Sequence, residues 1–453
     1  NPQFITNYGV GTINSLCFMR NGQVWNIPTS GGEAVQLTNL PLDVGSYRVF
    51  MNEYEQIFML VVLDVYIDKT PQETVDEDSK KPTSSAMEFD SLMVRHWDAW
   101  DVYKKRNHLF LISLNVSDDG LLCVSPTAPL DLMKNWESDC TGKAPGQGEE
   151  DYSVSPDGFN VSFACRGVDP TTKESYGTVT SGVVEYTYKV KTDMAWTTDT
   201  NIYTINLPKH PSEFAKFHPV PHFGCNCNCK CSVVSEAKTE TDSSADTDKD
   251  TDTATPAVKV GFQYKIIAAR CDQCTCTTSD KVNNSNSTGS GNYAPSYSPN
   301  GQYILYGCRE RPQFESDKGK LKLFHIESGL TEELTAGIDL GCDGVEWDYE
   351  TQTKETGDIN ENTNTNTKST LCFYVNAQYH GSYRVFRFTA MCSHDTAGTS
   401  ECRFQANVTD ITVMQGDNGV VGPKLVKSSS NTNNTSNTSN KSYLYFLESS
   451  LLS

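Results

Sequence analysis

Apolar residues along this chain come in short runs of strand length, parted by turns rich in Gly, Asn, Asp and Pro, and almost no segment has a helical period. One unit recurs. Residues 153–166 (SVSPDGFNVSFACR) and 296–309 (SYSPNGQYILYGCR) share a strand, an S-P-[DN]-G turn, an apolar strand and a terminal Cys-Arg. The turn has a physical reason: proline presets φ at one central position and glycine takes positive φ at another. Further strands follow each copy, as in Gln23–Pro28, Asn201–Leu207 and Leu321–Ile326. The pattern predicts an all-β chain, a β-propeller of four-stranded blades over residues 1–453. About five to six blades are expected, at residues 1–38, 39–115, 146–208, 290–335, 337–390 and 403–453.

Three kinds of insertion interrupt the blades. Residues 72–85 (QETVDEDSKKPTSS) are polar and expected to be a mobile loop. Residues 222–290 hold a cysteine cluster and the acidic run 239–252, which cannot bury enough apolar area to offset its ordering entropy. Residues 361–370 and 427–441 are Asn/Thr/Ser tracts of the same polar kind. They dilute the hydrophobic content to 37% and the mean hydropathy to −0.48.

A net charge of −20 argues against nucleic acid, which demands clustered Lys and Arg. No apolar run reaches the roughly twenty residues of a membrane span. The stretch Ile57–Ile67 is too short and is broken by Asp64. Sixteen cysteines accompany sequons at Asn115, Asn160, Asn283, Asn286, Asn407, Asn433, Asn434, Asn437 and Asn440. Together they favour an oxidising, secretory compartment, with N-glycans: secreted or extracellular, or alternatively lumenal or lysosomal.

The segment Leu92–Phe110 (LMVRHWDAWDVYKKRNHLF) carries a resemblance. Val94, Arg95, His96, Trp97, Asp98, Trp100, Asn107, His108, Leu109 and Phe110 match, in order, a V-R-H-W-D-x-W…N-H-L-F segment. That segment is found in the propeller domain of the prolyl oligopeptidase superfamily, in its acylaminoacyl-peptidase-like and dipeptidyl-peptidase V branch. Residues 31–45 (GGEAVQLTNLPLDVG), 195–203 (AWTTDTNIY) and 308–317 (CRERPQFESD) are similar to three more segments of that family, in the same order. The resemblance implies a blade before Asn1, so that the N-terminus reads as a processed or truncated end and the propeller as incomplete there. It also implies that residues 444–453 resemble the strand handing over to an α/β-hydrolase domain. That domain needs a G-x-S-x-G elbow followed by Asp and His, and no G-x-S-x-G occurs in these 453 residues. No catalytic residue is therefore assigned.

In the resembled peptidases, propeller carboxylates can face the catalytic domain and hold a substrate's amino terminus. This makes Glu310, Arg311 and Glu315 candidate substrate-binding residues, with a solvated salt-bridge network as the alternative. His96 and Trp97 are further candidates, against a packing knot around Asp98 and Trp100. Cys225, Cys227, Cys229 and Cys231, then Cys271, Cys274 and Cys276, could supply thiolates to Zn²⁺ or Cu⁺, or could staple two strands by disulfides. Disulfides are preferred, and no metal or cofactor is expected. Cys392 and Cys402 look like a hairpin disulfide, with Cys123 and Cys140 as a weaker pair, and Cys165 and Cys308 read as core or as bonded to blade neighbours.

Two functions follow. The chain is the propeller portion of a secreted dipeptidyl-peptidase-like serine peptidase, gating peptide substrate for a hydrolase domain. The alternative is a non-catalytic extracellular structural or adhesive glycoprotein that self-associates through blade edges, with fibres as one such assembly.

Overall fold

The computed structural model describes residues 3–6, 14–81, 95–96, 99–100, 105–117, 120–134, 136–140, 151–166, 174–176, 185–189, 200–217, 219–222, 262–268, 291–311, 316–327, 329, 331–348, 370–379, 382–394, 402–410, 419–427 and 442–449. They form an all-β chain of antiparallel meanders with very little helix. The first sheet is β1 (Gln3–Thr6), β2 (Asn14–Arg20), β3 (Gln23–Pro28) and β4 (Val35–Gln36). The second joins β5 (Val44–Met51), β6 (Ile57–Tyr66), β9 (Lys105–Val116), β10 (Leu122–Val124) and β11 (Leu130–Asp131). Between β6 and β9 lie a helix and the hairpin β7 (Arg95–His96) with β8 (Ala99–Trp100).

The third sheet has β13 (Tyr152–Val154), β14 (Asn160–Arg166), β17 (Thr200–Asn206) and β19 (Phe262–Ala268), with β18 (Pro219–His222) parallel to β19. A side sheet of β12 (Trp136–Glu137), β15 (Glu174–Tyr176) and β16 (Glu185–Lys189) lies beside this region in sequence. The fourth sheet, continuous with the third through one parallel pair (Thr200↔Gly291), is β20 (Gly291–Tyr297), β21 (Tyr303–Arg309), β22 (Lys320–His325) and β23 (Thr331–Glu333). The fifth is β24 (Gly341–Trp347), β25 (Thr370–Tyr379), β26 (Ser382–His394) and β27 (Cys402–Asp410). A last pair, β28 (Gly419–Lys427) and β29 (Ser442–Ser449), packs against the fifth. No described helix is long and apolar enough to cross a membrane.

Side-chain alternation explains why the central strands are apolar at almost every position. Along β6, Phe58, Leu60 and Val62 point into a core shared with the third sheet, and Ile57, Met59, Val61 and Leu63 into one shared with the first. The same division repeats onward. Val161 and Phe163 of β14 face the second sheet, whereas Ala164 joins Tyr297, Ile304 and Tyr306 in a core with the fourth. Leu305 and Leu323 of the fourth sheet then meet Phe373, Val375 and Phe388 of the fifth. Each fully buried large side chain contributes about 1.5–3 kcal/mol, so these seams are where the stability lies.

The first strands of successive sheets also touch in order. The Gln3 side-chain amide donates to Val49 O (2.6 Å) and accepts from Val49 N (2.8 Å), joining β1 to β5. Ser46 Oγ lies 3.1 Å from Tyr152 OH, joining β5 to β13's first residue. Tyr297 N donates to Ser153 Oγ (3.2 Å), and Trp347 Nε1 to Ser296 Oγ (2.9 Å), carrying the series through β20 to β24.

The S-P-[DN]-G turns follow these strands and pack turn upon turn. Gly158 (φ +71°) lies against the Asn52 and Met51 backbone, and Gly301 (φ +69°) faces the Pro156 ring of the preceding turn. A third equivalent turn, between β5 and β6, has no such motif. Asn52 Oδ1 there accepts from Tyr54 N and Gln56 N, both at 3.0 Å, and Glu55 takes positive φ (60°).

Three sequence expectations need correction. Residues 72–85 are not simply loop: Pro71–Asp78 form helix α1, opened by a capping box between Thr70 and Glu73. Its Asp78 accepts from Tyr66 OH and Lys105 Nζ, both at 3.1 Å, which docks it on β6 and β9. Residues 402–410 belong to the fifth sheet rather than the sixth blade, because β27 pairs with β26 from His394↔Cys402 to Phe386↔Asp410. The hairpin pair Cys123–Cys140 does not form. Cys123 is an exposed thiol opposite Asn115, while Cys140 is buried and bridges Cys165 through the backbone.

Candidate functional site

The charged segment singled out by sequence begins where β21 ends. Glu310 follows Arg309 into solvent and is bound by Lys320 Nζ, which also reaches Glu333 at 3.4 Å. Arg311 clamps Asp317. Its Nε donates to both carboxylate oxygens (2.9 and 3.1 Å), its Nη2 adds a further contact, and its backbone N–H donates to Oδ2 at 2.9 Å. The clamp closes the base of the chain between residues 311 and 317. The guanidinium hydrogen bond holds Asp317 below the usual carboxylate range and raises Arg311. Partial burial would lower Lys320, but Glu310 and Glu333 outweigh it and raise it.

These charges are thus engaged with one another, yet reachable: the Arg311 side chain is 62% exposed and that of Glu310 61%. A peptide terminus could bind only by exchanging partners with Lys320 or Asp317. Glu315 lies outside the described residues. His96 pairs with Ala99 across the β7–β8 hairpin, while Trp97 lies outside the described residues.

Sequence reasoning passed over a second polar centre. His108, within the N-H-L-F segment on β9, is wholly buried. Nδ1 lies 2.9 Å from Asp131 Oδ2 on β11, and Nε2 lies 2.8 Å from the Trp136 carbonyl oxygen. A carbonyl and an ionised carboxylate only accept, so both ring nitrogens carry protons when the pair is charged. Burial alone would lower the His108 pKa, but the Asp131 charge and hydrogen bond outweigh it and the pKa is raised. Asp139 and Arg106 stand nearby, with Asp139 Oδ1 accepting from Asn107 N at 2.8 Å. The imidazole is wholly enclosed, and its two hydrogen bonds tie β9 to β11 and to Trp136.

The cysteine runs at 225–231 and 271–276 lie outside the described residues. Cys392 pairs with Phe404 and Cys402 with His394, which makes the two cysteines diagonal neighbours. Cys165 and Cys308 sit in the core as expected, and burial raises both thiol pKa values. No group of metal-ligating side chains occurs among the described residues.

No family model matches this chain, and no curated protein matches it. Among solved structures it is similar to the crystal structure of Porphyromonas gingivalis dipeptidyl peptidase 4, at 8% identity and a TM-score of 0.29. The alignment covers 90% of this chain and 53% of the other, so the chain spans about half of that peptidase's length. A likeness this loose carries no argument for activity.

Proposed function

We propose that the successive sheets are blades of a β-propeller and that the chain is the propeller portion of a secreted dipeptidyl-peptidase-like serine peptidase. In that role it caps an active site and admits short, unfolded peptides, while the acyl-transfer chemistry belongs to an α/β-hydrolase domain. The reading is carried by the ordered contact of first strands, β1 to β5 to β13 to β20 to β24, as blades around an axis require. It is supported by the four family-like sequence segments, which keep the family's order along the chain. Glu310 and Arg311 are its candidate substrate contacts.

A second reading, a non-catalytic extracellular structural or adhesive glycoprotein, draws on β27. That strand ends its sheet among the described residues and presents an edge for strand addition. Treating the native protein with a fluorophosphonate probe separates the two. Labelling of a polypeptide that also yields these propeller peptides supports the peptidase. Native protein that yields the propeller peptides but takes no label overturns it.

A further inference from the structure

An N-linked sugar is bulky and needs an asparagine that faces solvent, so the fold decides which sequons can carry one in the finished molecule. Three lie on described strands, and their surroundings differ. Asn115 is exposed near the end of β9 and Asn407 is exposed on β27. Asn160 begins β14 on the same side as Ser162 and Ala164, which are 0% and 1% exposed. Asn160 is itself half-buried at the start of the strand and Ala164 belongs to the core shared with the fourth sheet, so a sugar on Asn160 would crowd the mouth of that seam. Its backbone is also fixed, its N–H donating to Ser155 Oγ at 2.9 Å and its carbonyl accepting from Ser155 N at 2.8 Å.

We propose that Asn115 and Asn407 carry N-linked glycans, that Asn160 is bare, and that the Asn115 glycan screens the thiol of Cys123. Asn115 and Cys123 are direct cross-strand partners, so their side chains leave the same face of the sheet about 5 Å apart. Cys123 Sγ lies 3.6 Å from the Asn115 carbonyl oxygen. Among the free thiols of the described residues it is the exposed one, which in an oxidising compartment invites unwanted cross-linking. In the modification, the Asn amide nitrogen displaces a lipid-linked pyrophosphate from the anomeric carbon of an oligosaccharide donor. A C–N bond forms, the C–O bond to phosphate breaks, and the nitrogen loses one proton. The glycan at Asn407 stands on the end strand of the fifth sheet, where bulk opposes strand addition.

This inference rests on the secretory route of the function proposed above but not on its peptidase assignment. The test is peptide N-glycosidase release from the native protein in heavy-oxygen water, followed by peptide mass spectrometry. Asn115 and Asn407 are expected to become labelled Asp, with Asn160 unchanged. Alkylation of Cys123 by a maleimide is expected to be several-fold faster after sugar removal under native conditions, with buried Cys17 unreactive before and after. Unlabelled Asn115 or Asn407, label at Asn160, or an unchanged Cys123 rate overturns the proposal. None of these outcomes bears on fluorophosphonate labelling.

Discussion

The seam between the second and third sheets and the edge of the fourth sheet are built from the same parts. Each has an S-P-[DN]-G turn with glycine at positive φ, a strand ending in Cys-Arg, and a pair of opposite charges near it. In the seam, all of these press against a neighbour: Gly158 on the Asn52 backbone, His108 closed between Asp131 and Trp136 O. At the fourth sheet the glycine has room, and Asp317 is held by an Arg311 side chain that is mostly in solvent. A motif's type therefore predicts its local geometry, whereas its energetic weight comes from the sheet that packs against it.

The largest effect is expected at the buried charge. His108→Ala strands the Asp131 carboxylate beside an apolar seam and leaves a cavity, costing about 3–5 kcal/mol of unfolding free energy by chemical denaturation. A loss below about 1 kcal/mol, the level of a surface pair, would erase the contrast between the two regions.

The paired glycines come next. Alanine in the left-handed region costs about 1–2 kcal/mol at either turn. At position 158 the new Cβ also falls 2.6 Å from Asn52 Cα and 2.8 Å from Met51 O, backbone atoms that cannot swing aside. At 301 its nearest neighbour is Pro156 Cδ at 3.7 Å, an ordinary contact. Gly158→Ala is therefore expected to lose about 3 kcal/mol or more, and Gly301→Ala only the conformational cost. Equal losses in denaturant melts would mean that the turns do not pack as described.

How much of this the sequence held depends on whether the cause was local. The S-P-[DN]-G turns were legible because proline and glycine act within four residues. The capping box of Thr70 and Glu73 was equally local, but the polar composition around it pointed to a loop. The Asn52 turn stayed hidden because an asparagine side chain and Glu55 replace the serine and glycine of the motif. The His108–Asp131 pair could not be read at all. It exists because β11 pairs with β9, Asp131 opposite Phe110, a register that no spacing announces. Along Ile57–Val65 the apolar run was plain, but which residues face which seam follows only from the neighbouring sheets.

The pH profile sharpens the buried side of the comparison. His108 has a folded pKa above its unfolded value of about 6.5. Its contribution is therefore complete below that value and is lost as pH rises through the folded pKa. Denaturation midpoints followed upward from pH about 6 should fall for the native protein more than for His108→Gln, which cannot take up the proton. Parallel profiles would mean that the pair holds no extra proton.

The smallest effect is expected at Arg311. Its clamp on Asp317 has good fork geometry, but the guanidinium is mostly exposed, so water screens it from that side although Asp317 is nearly covered, and the long side chain loses entropy in holding it. Arg311→Ala should leave the denaturation midpoint unchanged within error, even though the bond set looks stronger on paper than that of His108. Asp317, whose pKa the clamp lowers, should then titrate closer to an ordinary carboxylate, a shift readable by NMR of its side-chain carbon. A stable protein with a shifted Asp317 would identify the clamp as a charge-holding device without a structural role, which is the condition for Arg311 to exchange partners with a peptide carboxylate. A destabilised protein would place the 311–317 segment with the seam instead, and remove Arg311 from the candidate substrate contacts.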